Sequence, residues 1–324
     1  MLTSGINFKN FKLEKKINNI QIKKTFFSLF NEKNYVLESL KKNYKNNFSK
    51  KKISKYKKFS NFKVIGMGGS SLGTQTIYEF LKDGVKKKFI FIDNLRQKKI
   101  KIKDKKSVNL VVSKSGNTIE TIVNSNIYIK RGDKNIFITE NKNNYLFKLA
   151  NKLKAEIIHH NNYIGGRYSV LSEVGMLPAE LMGLNVKKFK QLNSLIKNKK
   201  FINELISGVS LTLENIKNKK FNSIIINYDE KSESLFKWYQ QLMAESLGKK
   251  RKGLLPIVSN MPKDNHSVMQ LYLDGFQSNF FTFFYTHETK SEILKNSQIL
   301  SSQKFLKGKN LSNIMYAQKI ATEK

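Results

Sequence analysis

Short runs of β-branched and aromatic residues, separated by segments of helix length, constrain the fold of this chain more than any other feature. Strands that alternate with helices of about 10 to 15 residues are typical of βαβ units with a parallel sheet. The sequence is therefore predicted to form an α/β protein with two mainly parallel sheets. The first group of runs is FKVIGMG (62–68), FIFID (89–93), LVVSK (110–114), NIFITE (135–140) and AEII (155–158), and the second is SIIINYD (223–229), LLPIVSN (254–260) and NFFTFFYTH (279–287).

The two groups of runs are preceded and separated by helical sequence. Residues 1–60 are highly charged and carry apolar positions such as Phe26, Phe30 and Leu40 at helix-like spacing. A helical bridge is expected at 169–220. We therefore predict a helical lead-in at 1–60, a first domain at 61–185 and a second domain at 186–324. The last segment, LSNIMYAQKIATEK, has no Gly or Pro to end a helix, so the second domain is expected to be incomplete at its C-terminus.

The formal net charge of +36 over 324 residues raises the question of a nucleic-acid partner. The lysines are scattered through every segment, however, and arginine, which most often reads base edges, is scarce. We interpret the charge as a lysine-rich composition on solvated faces and expect no specific nucleic-acid partner. The densest runs, at 42–59 and 187–201, are expected to bind polyanions weakly at most. A nucleic-acid-binding protein stays open as an alternative that rests on charge alone.

The sequence also bears on location. It contains no Cys, which leaves no disulfides or thiolate metal sites and fits a reducing cytoplasm. No apolar run approaches the roughly 18 residues that a membrane span needs, and MLTSGINFKNFKLEKK lacks the apolar core of a signal peptide. We expect a soluble, cytoplasmic protein with no membrane partner.

Two turns between a strand and a helix have the composition of an anion site. The turn at 66–71 has three glycines followed by two serines, and the turn at 113–118 places hydroxyl side chains around Lys114 and Gly116. Glycine permits close backbone approach, and free N–H groups at a helix start attract an anion. The first turn by itself fits a tight structural turn equally well. Neither has the GxxxxGK[ST] pattern of ATP-binding loops, so together they indicate a sugar phosphate rather than ATP.

Five segments follow one another along the chain: GMGGSSLG (66–73), SKSGNTIET (113–121), GGRYSVLSEVGMLP (165–178), WYQQLMAESLGK (238–249) and KDNHSVMQLYLDG (263–275). Together they resemble the glucose-6-phosphate isomerase (phosphoglucose isomerase) family. The resemblance implies a pair of three-layer α/β/α sugar isomerase domains. It also implies reversible conversion of glucose 6-phosphate to fructose 6-phosphate through an enediolate, without metal or organic cofactor. The middle turn marks sugar isomerase domains in regulators too, so a non-catalytic sugar-phosphate sensor stays open as the alternative.

Binding of the substrate is assigned through this resemblance. The phosphate is expected to bind the turn at 113–118, and the sugar is expected to contact the first turn and Gln241. The residues so implied are Ser113, Lys114, Ser115 and Thr118 for the phosphate, and Gly69, Ser70 and Gln241 for the sugar.

Aldose–ketose interconversion needs one base and a cationic stabiliser. Gln241 and Glu245 are four residues apart and therefore share one face of a helix. The resemblance makes Glu245 the base. Arg167 is one of few arginines in a chain that otherwise uses lysine, which indicates a need for a planar, permanent cation. From the residues alone a buried salt bridge is the favoured role of Arg167, whereas the resemblance implies that it stabilises the enediolate.

The resemblance assigns His266 to opening of the sugar ring and implies that it reaches into the site of a neighbouring subunit in a homodimer. The other histidines match no family role and are expected to be structural or surface residues. The family carries a further catalytic Lys on a C-terminal helix, and no segment of this chain aligns with it. The activity of this chain is for that reason a weaker expectation than its ancestry.

Overall fold

The computed structural model describes residues 5–10, 17–100 and 107–324. Within these ranges the chain divides into two compact units, residues 1–214 and 215–324. The helices are α1 (Ile17–Asn31), α2 (Lys50–Ser54), α3 (Leu72–Phe80), α4 (Ile119–Tyr128), α5 (Tyr145–Lys152), α6 (Glu173–Met182), α7 (Val186–Phe189), α8 (Lys199–Lys217), α9 (Glu233–Leu247), α10 (Met269–Asp274) and α11 (Leu311–Glu323). The strands are β1 (Asn61–Ile65), β2 (Lys88–Ile92), β3 (Val108–Val112), β4 (Lys134–Thr139), β5 (Glu156–His159), β6 (Asn222–Asn227), β7 (Leu255–Asn260) and β8 (Asn279–Phe284).

The first unit is built on a five-stranded sheet whose pairings are all parallel, in the order β2-β1-β3-β4-β5. Every residue of the central strand β3 is buried, as expected for a parallel strand with both faces covered. The chain adds β2 on one side of β1 and then returns to place β3 on the other side. The loops that follow β1 and β3 therefore flank the point where the strand order reverses, which is where open α/β sheets bind ligands.

One row of buried side chains crosses this sheet directly below those loops. Ile92, Ile65, Val111 and Phe137 are register neighbours on β2, β1, β3 and β4. All four belong to one core cluster, to which α4 contributes Tyr128 and α5 contributes Leu146 and Ala150. Because these side chains are essentially inaccessible to solvent, they fix the ends of the strands from which the loops after β1 and β3 leave.

The second unit contains a three-stranded sheet, again with only parallel pairings, in the order β7-β6-β8. Its core is formed by Ile224, Ile226, Tyr228 and Met261, with partly buried neighbours that include Met315 of α11. The Tyr228 hydroxyl also lies 2.8 Å from Thr322 Oγ1, so the last helix is held by a polar contact as well as by packing.

The predicted α/β class with mainly parallel sheets is confirmed, and each of the eight predicted runs overlaps a strand. The helical bridge is also present, as α6, α7, α8 and intervening 3₁₀ turns. The compact units divide between residues 214 and 215, whereas the sequence placed a domain boundary between 185 and 186. The described part of the 1–60 lead-in falls within the first unit. The division into a lead-in and two domains stays a prediction.

Among the described residues, no helix is long and apolar enough to cross a membrane. The same part of the chain contains no group of three or more histidine, aspartate or glutamate side chains placed to hold a metal ion.

Candidate active site

A cavity of about 390 Å³ lies at the reversal point of the first sheet. Five of its six lining residues are ones that the sequence assigned to phosphate or sugar binding. Ser113 is buried, Lys114 and Thr118 are half-buried, and Ser115 is exposed, so the donors line an opening that solvent reaches. Hydroxyl and ammonium groups are suitable donors for a phosphate dianion. The lining residues are Ser70, Ser113, Lys114, Ser115, Thr118 and Glu140.

The turn after β3 is ordered by hydrogen bonds among its own residues. Ser113 Oγ lies 2.9 Å from Thr118 Oγ1 and accepts a hydrogen bond from the Gly116 N–H at 3.2 Å. Ser115 Oγ accepts from the Asn117 N–H at 3.3 Å. The hydroxyls that the sequence assigned to the phosphate are thus preorganised around one loop, which lowers the cost of ordering them when an anion binds.

Gly116 allows this loop to lie against the start of α5. Its φ is +67°, and a Cβ at this position would lie 2.0 Å from Asn144 Oδ1. Asn144 is the N-cap of α5, where Oδ1 accepts a hydrogen bond from the Phe147 N–H at 2.8 Å. A side chain at Gly116 would therefore displace either the loop or the cap.

The first glycine turn packs directly against the segment that carries Arg167. A Cβ on Gly69 would lie 2.2 Å from the carbonyl carbon of Gly166 and 2.6 Å from the backbone nitrogen of Arg167. Ser169 Oγ lies 2.7 Å from the Gly166 carbonyl and 3.2 Å from the Gly69 carbonyl, so its hydroxyl stands between the two segments at the same contact. The Arg167 side chain is half-buried, with its guanidinium carbon 4.6 Å from the centre of the Tyr168 ring. Gly69, Ser70 and the Arg167 backbone are therefore neighbours within the first unit.

Sequence reasoning did not identify Glu140 as part of the cavity. Its backbone N–H donates to the Lys114 carbonyl at 3.1 Å, and its carboxylate is 2.8 Å from Lys142 Nζ. Glu140 directly follows β4, which pairs with β3, so it emerges beside the turn at 113–118. The signal in the sequence was a carboxylate at the end of a predicted strand. Its relevance becomes visible only once the strand order is known.

The second unit contains the other predicted residues, and two of them are in direct contact. Gln241 Nε2 donates to Glu245 Oε1 at 2.7 Å, so these side chains share one face of α9 as predicted. Glu245 is exposed in the last turn of the helix, which ends as the Gly248 N–H donates to the Ala244 carbonyl at 2.8 Å. The Gln241 Oε1 atom is buried and has no hydrogen-bond partner within the described chain.

His266 lies in the same unit as Gln241 and Glu245, at the end of a 3₁₀ turn (Lys263–His266) after β7. The Asp264 carboxylate accepts hydrogen bonds from the Asn260 N–H at 2.7 Å and from Ser267 Oγ at 3.2 Å, and so braces that turn. The imidazole itself is exposed. The roles of Glu245, Gln241 and His266 stay predictions.

Solved structures with a similar fold include two sugar-phosphate isomerases. A hypothetical protein of Thermus thermophilus has a TM-score of 0.78 at 21% identity, covering 94% of this chain and 79% of that one. A glucose-6-phosphate isomerase of Chlamydia trachomatis has a TM-score of 0.62 at 20% identity, covering 89% of this chain and 63% of that one. A tagatose-6-phosphate ketose/aldose isomerase of Escherichia coli has a TM-score of 0.52 at 11% identity, covering 93% of this chain and 73% of that one. The fold is that of the sugar isomerase class of α/β proteins.

Sequence similarity identifies the family within that class. The family model described as phosphoglucose isomerase matches residues 22–259. A glucose-6-phosphate isomerase of Methanocaldococcus jannaschii is 32% identical over 298 residues, which cover 84% of this chain and 71% of the relative. A glucose-6-phosphate isomerase of Acholeplasma laidlawii is 34% identical over 281 residues, which cover 78% of this chain and 65% of the relative. This chain belongs to the phosphoglucose isomerase family, and it spans about two thirds of the length of these curated relatives.

Proposed function

We propose that this chain interconverts glucose 6-phosphate and fructose 6-phosphate, as an aldose–ketose isomerase of glycolysis and gluconeogenesis. Membership of the family supports the reaction, and the observation that carries the proposal is the cavity at the reversal point of the first sheet. Its hydroxyls and Lys114 match the anionic end of both sugars. The comparisons give no support to the alternative of a sugar-phosphate sensor.

The reaction moves one proton between adjacent carbons of the open-chain sugar. In the direction from glucose 6-phosphate, Glu245 removes the proton from C2, and the electron pair forms the enediolate. Return of a proton to C1, with transfer of the O2 hydroxyl proton to O1, gives the ketose. The hydrogen bond from Gln241 to Glu245 supports this role because it fixes the direction of the carboxylate.

Arg167 supplies the positive charge that the enediolate requires. A fixed guanidinium stabilises the developing oxyanion more than it stabilises the neutral sugar, so it lowers the barrier rather than only tightening binding. The contact between Gly69 and the Arg167 backbone supports the assignment, since Gly69 adjoins the Ser70 wall of the cavity. His266 is proposed to transfer the protons that open the closed ring before isomerisation begins.

The proposal extends to assembly and location. We infer a homodimer in which His266 serves the site of the neighbouring chain, on the basis of the family resemblance. A cytoplasmic location is proposed with the glycolytic role, and the cysteine-free sequence fits that location.

Isomerisation in D₂O tests the reaction and its base together. Fructose 6-phosphate is incubated with the chain and the products are followed by NMR. Glucose 6-phosphate carrying deuterium at C2 is expected, because the transferred proton exchanges with solvent while it resides on the base.

Glu245→Gln is expected to lower the rate by at least about a hundredfold. Glu233→Gln, on the same helix and in an ion pair with Lys237, is the matched control and is expected to retain the parent's rate. Binding of fructose 6-phosphate without any turnover by the parent would instead indicate the sensor.

A further inference from the structure

The segment 161–173, which carries Arg167, is enclosed by a buried polar cluster that the proposed chemistry does not use. At its centre is Glu173, the first residue of α6, whose side chain is completely buried. Leaving a carboxylate inside a protein is unfavourable unless hydrogen bonds or charges compensate it, so an arrangement that retains one requires an explanation. We call Tyr44, Asn47, His160 and Glu173, together with Lys190, the clasp.

The lead-in provides two of the groups that hold Glu173. Tyr44 Oη donates to the carboxylate, 2.8 Å from Oε2 and 3.2 Å from Oε1. Asn47 Nδ2 lies 3.5 Å from Oε1 and also donates to the His159 carbonyl at 3.1 Å. These contacts join residues more than a hundred positions apart in the sequence, so the lead-in is fastened directly to the start of α6.

The clasp contacts the 161–173 segment at both of its ends. At the beginning, Asn161 Nδ2 donates to Tyr44 Oη at 3.0 Å. His160 Nε2 donates to the Ile164 carbonyl at 3.2 Å, while its Nδ1 lies 3.8 Å from Glu173 Oε1. The hydroxyl of Tyr44 therefore bridges residues 161 and 173, the two boundaries of the segment. Arg167 lies midway between them.

Lys190 secures the same segment near its end. Its ammonium donates to the Leu171 carbonyl at 3.2 Å and to the Ser39 carbonyl, and it lies 5.1 Å from the centre of the Tyr44 ring. Ser39 Oγ in turn donates to the Tyr168 carbonyl at 3.4 Å. The backbone on the C-terminal side of Arg167 is thereby tied to the lead-in as well.

The ionisation state of the Glu173 carboxylate agrees with this arrangement. Burial alone raises the pKa of Glu173, but its neighbours His160 and Tyr44 outweigh burial and hold the pKa below its ordinary value. Glu173 is therefore ionised at neutral pH and acts only as an acceptor. Burial raises the pKa of the Tyr44 hydroxyl, and the adjacent Glu173 raises it further, so Tyr44 remains a donor.

We propose that Glu173 is a positioning residue for Arg167, and that the clasp fixes the 161–173 segment so that the Arg167 backbone stays against Gly69. The proposal rests on the proposed function in one respect, namely that the position of Arg167 matters for turnover. A catalytic group that is misplaced by about 1 Å can lose up to a hundredfold in rate. The clasp supplies the support from buried hydrogen bonds that prevents such a displacement.

Two variants and a matched control test the clasp. Glu173→Gln removes the charge at nearly constant size, and Tyr44→Phe removes only the bridging hydroxyl. Glu180→Gln is the control, because Glu180 is a second buried carboxylate on α6, paired with Lys57 at 2.6 Å and Lys50 at 3.4 Å. Glu180 makes none of the clasp contacts described above. Tyr44→Phe keeps the test decisive if Glu173→Gln does not fold.

Hydrogen–deuterium exchange gives a readout that does not depend on catalysis. In both clasp variants the amides of 161–171 are expected to exchange about tenfold faster or more than in the parent, because local opening of the segment becomes easier. In Glu180→Gln they are expected to exchange at the parent's rate. Unchanged exchange in both clasp variants, or an equal increase in the control, would overturn the proposal.

Steady-state kinetics with fructose 6-phosphate give the second readout. In the clasp variants kcat is expected to fall by about ten- to a hundredfold while KM changes by less than about threefold, since the phosphate loop is untouched. Glu180→Gln is expected to keep both constants. A rise in KM with unchanged kcat in the clasp variants would contradict a positioning role. A parent that does not turn over would refute the proposed function and not the clasp, on which the exchange data then decide.

Discussion

Ser113 and Thr118 form a hydroxyl pair that lines the proposed phosphate site. Each is 2.9 Å from the other in the structure and faces the cavity. We predict that Ser113→Ala combined with Thr118→Ala weakens binding of fructose 6-phosphate by about tenfold or more, since a hydrogen bond to a charged group contributes roughly 1.5–3 kcal/mol. The double substitution removes both members of the pair together, and the Gly116 N–H keeps its hydrogen bond to the Ser113 carbonyl at 3.2 Å. Titration calorimetry measures the change.

Two controls accompany this measurement. Thr212→Ala removes a hydroxyl that donates to the Gly208 carbonyl within α8, and it should leave the dissociation constant unchanged. Free fructose should not bind detectably to any of these proteins. Equal binding of fructose and fructose 6-phosphate to the parent would remove the phosphate assignment.

Gly116 and Gly132 both have positive φ, but only one of them is crowded. At Gly132 the φ is +85° and a Cβ would meet nothing within 4 Å, whereas at Gly116 it would overlap the Asn144 side chain. We predict that Gly132→Ala costs about 1–2 kcal/mol of unfolding free energy, the ordinary penalty for a left-handed alanine. Gly116→Ala is expected to cost more and also to weaken fructose 6-phosphate binding. Urea denaturation compares the two, and equal costs would show that the loop has room to move.

At the scale of elements, Lys190 anchors the end of α7 to the lead-in. This lysine predicts that the free energy of unfolding varies with pH in the alkaline range. Burial lowers the pKa of Lys190, just after α7, to about 8, and the Glu173 carboxylate offsets only part of that effect. Between about 8 and 10.5 the unfolded chain, in which the pKa is ordinary, binds the proton that the folded chain has released. Unfolding free energy contributed by this group therefore rises with pH across that window and is at its lowest below it.

Lys190→Met tests the sign of this dependence. The parent's unfolding free energy, measured in urea at several values from pH 7.5 to 10, should rise relative to that of Lys190→Met. Lys188→Met, at an exposed position of α7, should follow the parent. Parallel curves for the parent and Lys190→Met would show that the lysine is not buried as a cation in the folded state.

The strands were predictable because each is a short, nearly uninterrupted apolar run. FIFID and NIFITE contain β2 and β4 almost entirely, since buried parallel strands need apolar residues on both faces. FKVIGMG extends beyond the end of β1 at Ile65, because Gly66 and Met67 already belong to the turn. Apolar character alone does not mark the point at which a strand becomes a binding loop.

Strand order and distant contacts could not be read from the same pattern. The order β2-β1-β3-β4-β5 depends on which edges pair in three dimensions, and it is this order that brings Glu140 beside Lys114. The contact between Tyr44 and Glu173 joins positions 129 residues apart, and neither belongs to a local motif with the other. The turns at 66–71 and 113–118 were predictable from glycine and hydroxyl content. The assignments of Glu245 and His266 required the family resemblance.

At the scale of the whole molecule, the proposed homodimer determines which residues must cooperate. If His266 serves the neighbouring chain, a working site contains Glu245 from one chain and His266 from the other. The functional unit then has an isologous two-fold interface, and two identical sites use the same pair of residues reciprocally. Variants that are inactive for different reasons should therefore complement each other.

We predict that mixing Glu245→Gln with His266→Ala restores activity from two inactive proteins. After complete subunit exchange, half of the dimers are mixed, and each mixed dimer has one site with both substitutions and one with neither. About a quarter of the parent's activity should return, because one site in two works in half of the dimers. If both residues act within one chain, every site keeps a substitution, and the mixture stays as inactive as its components. Native mass spectrometry confirms the exchange, so an inactive mixture that contains mixed dimers would exclude the shared site.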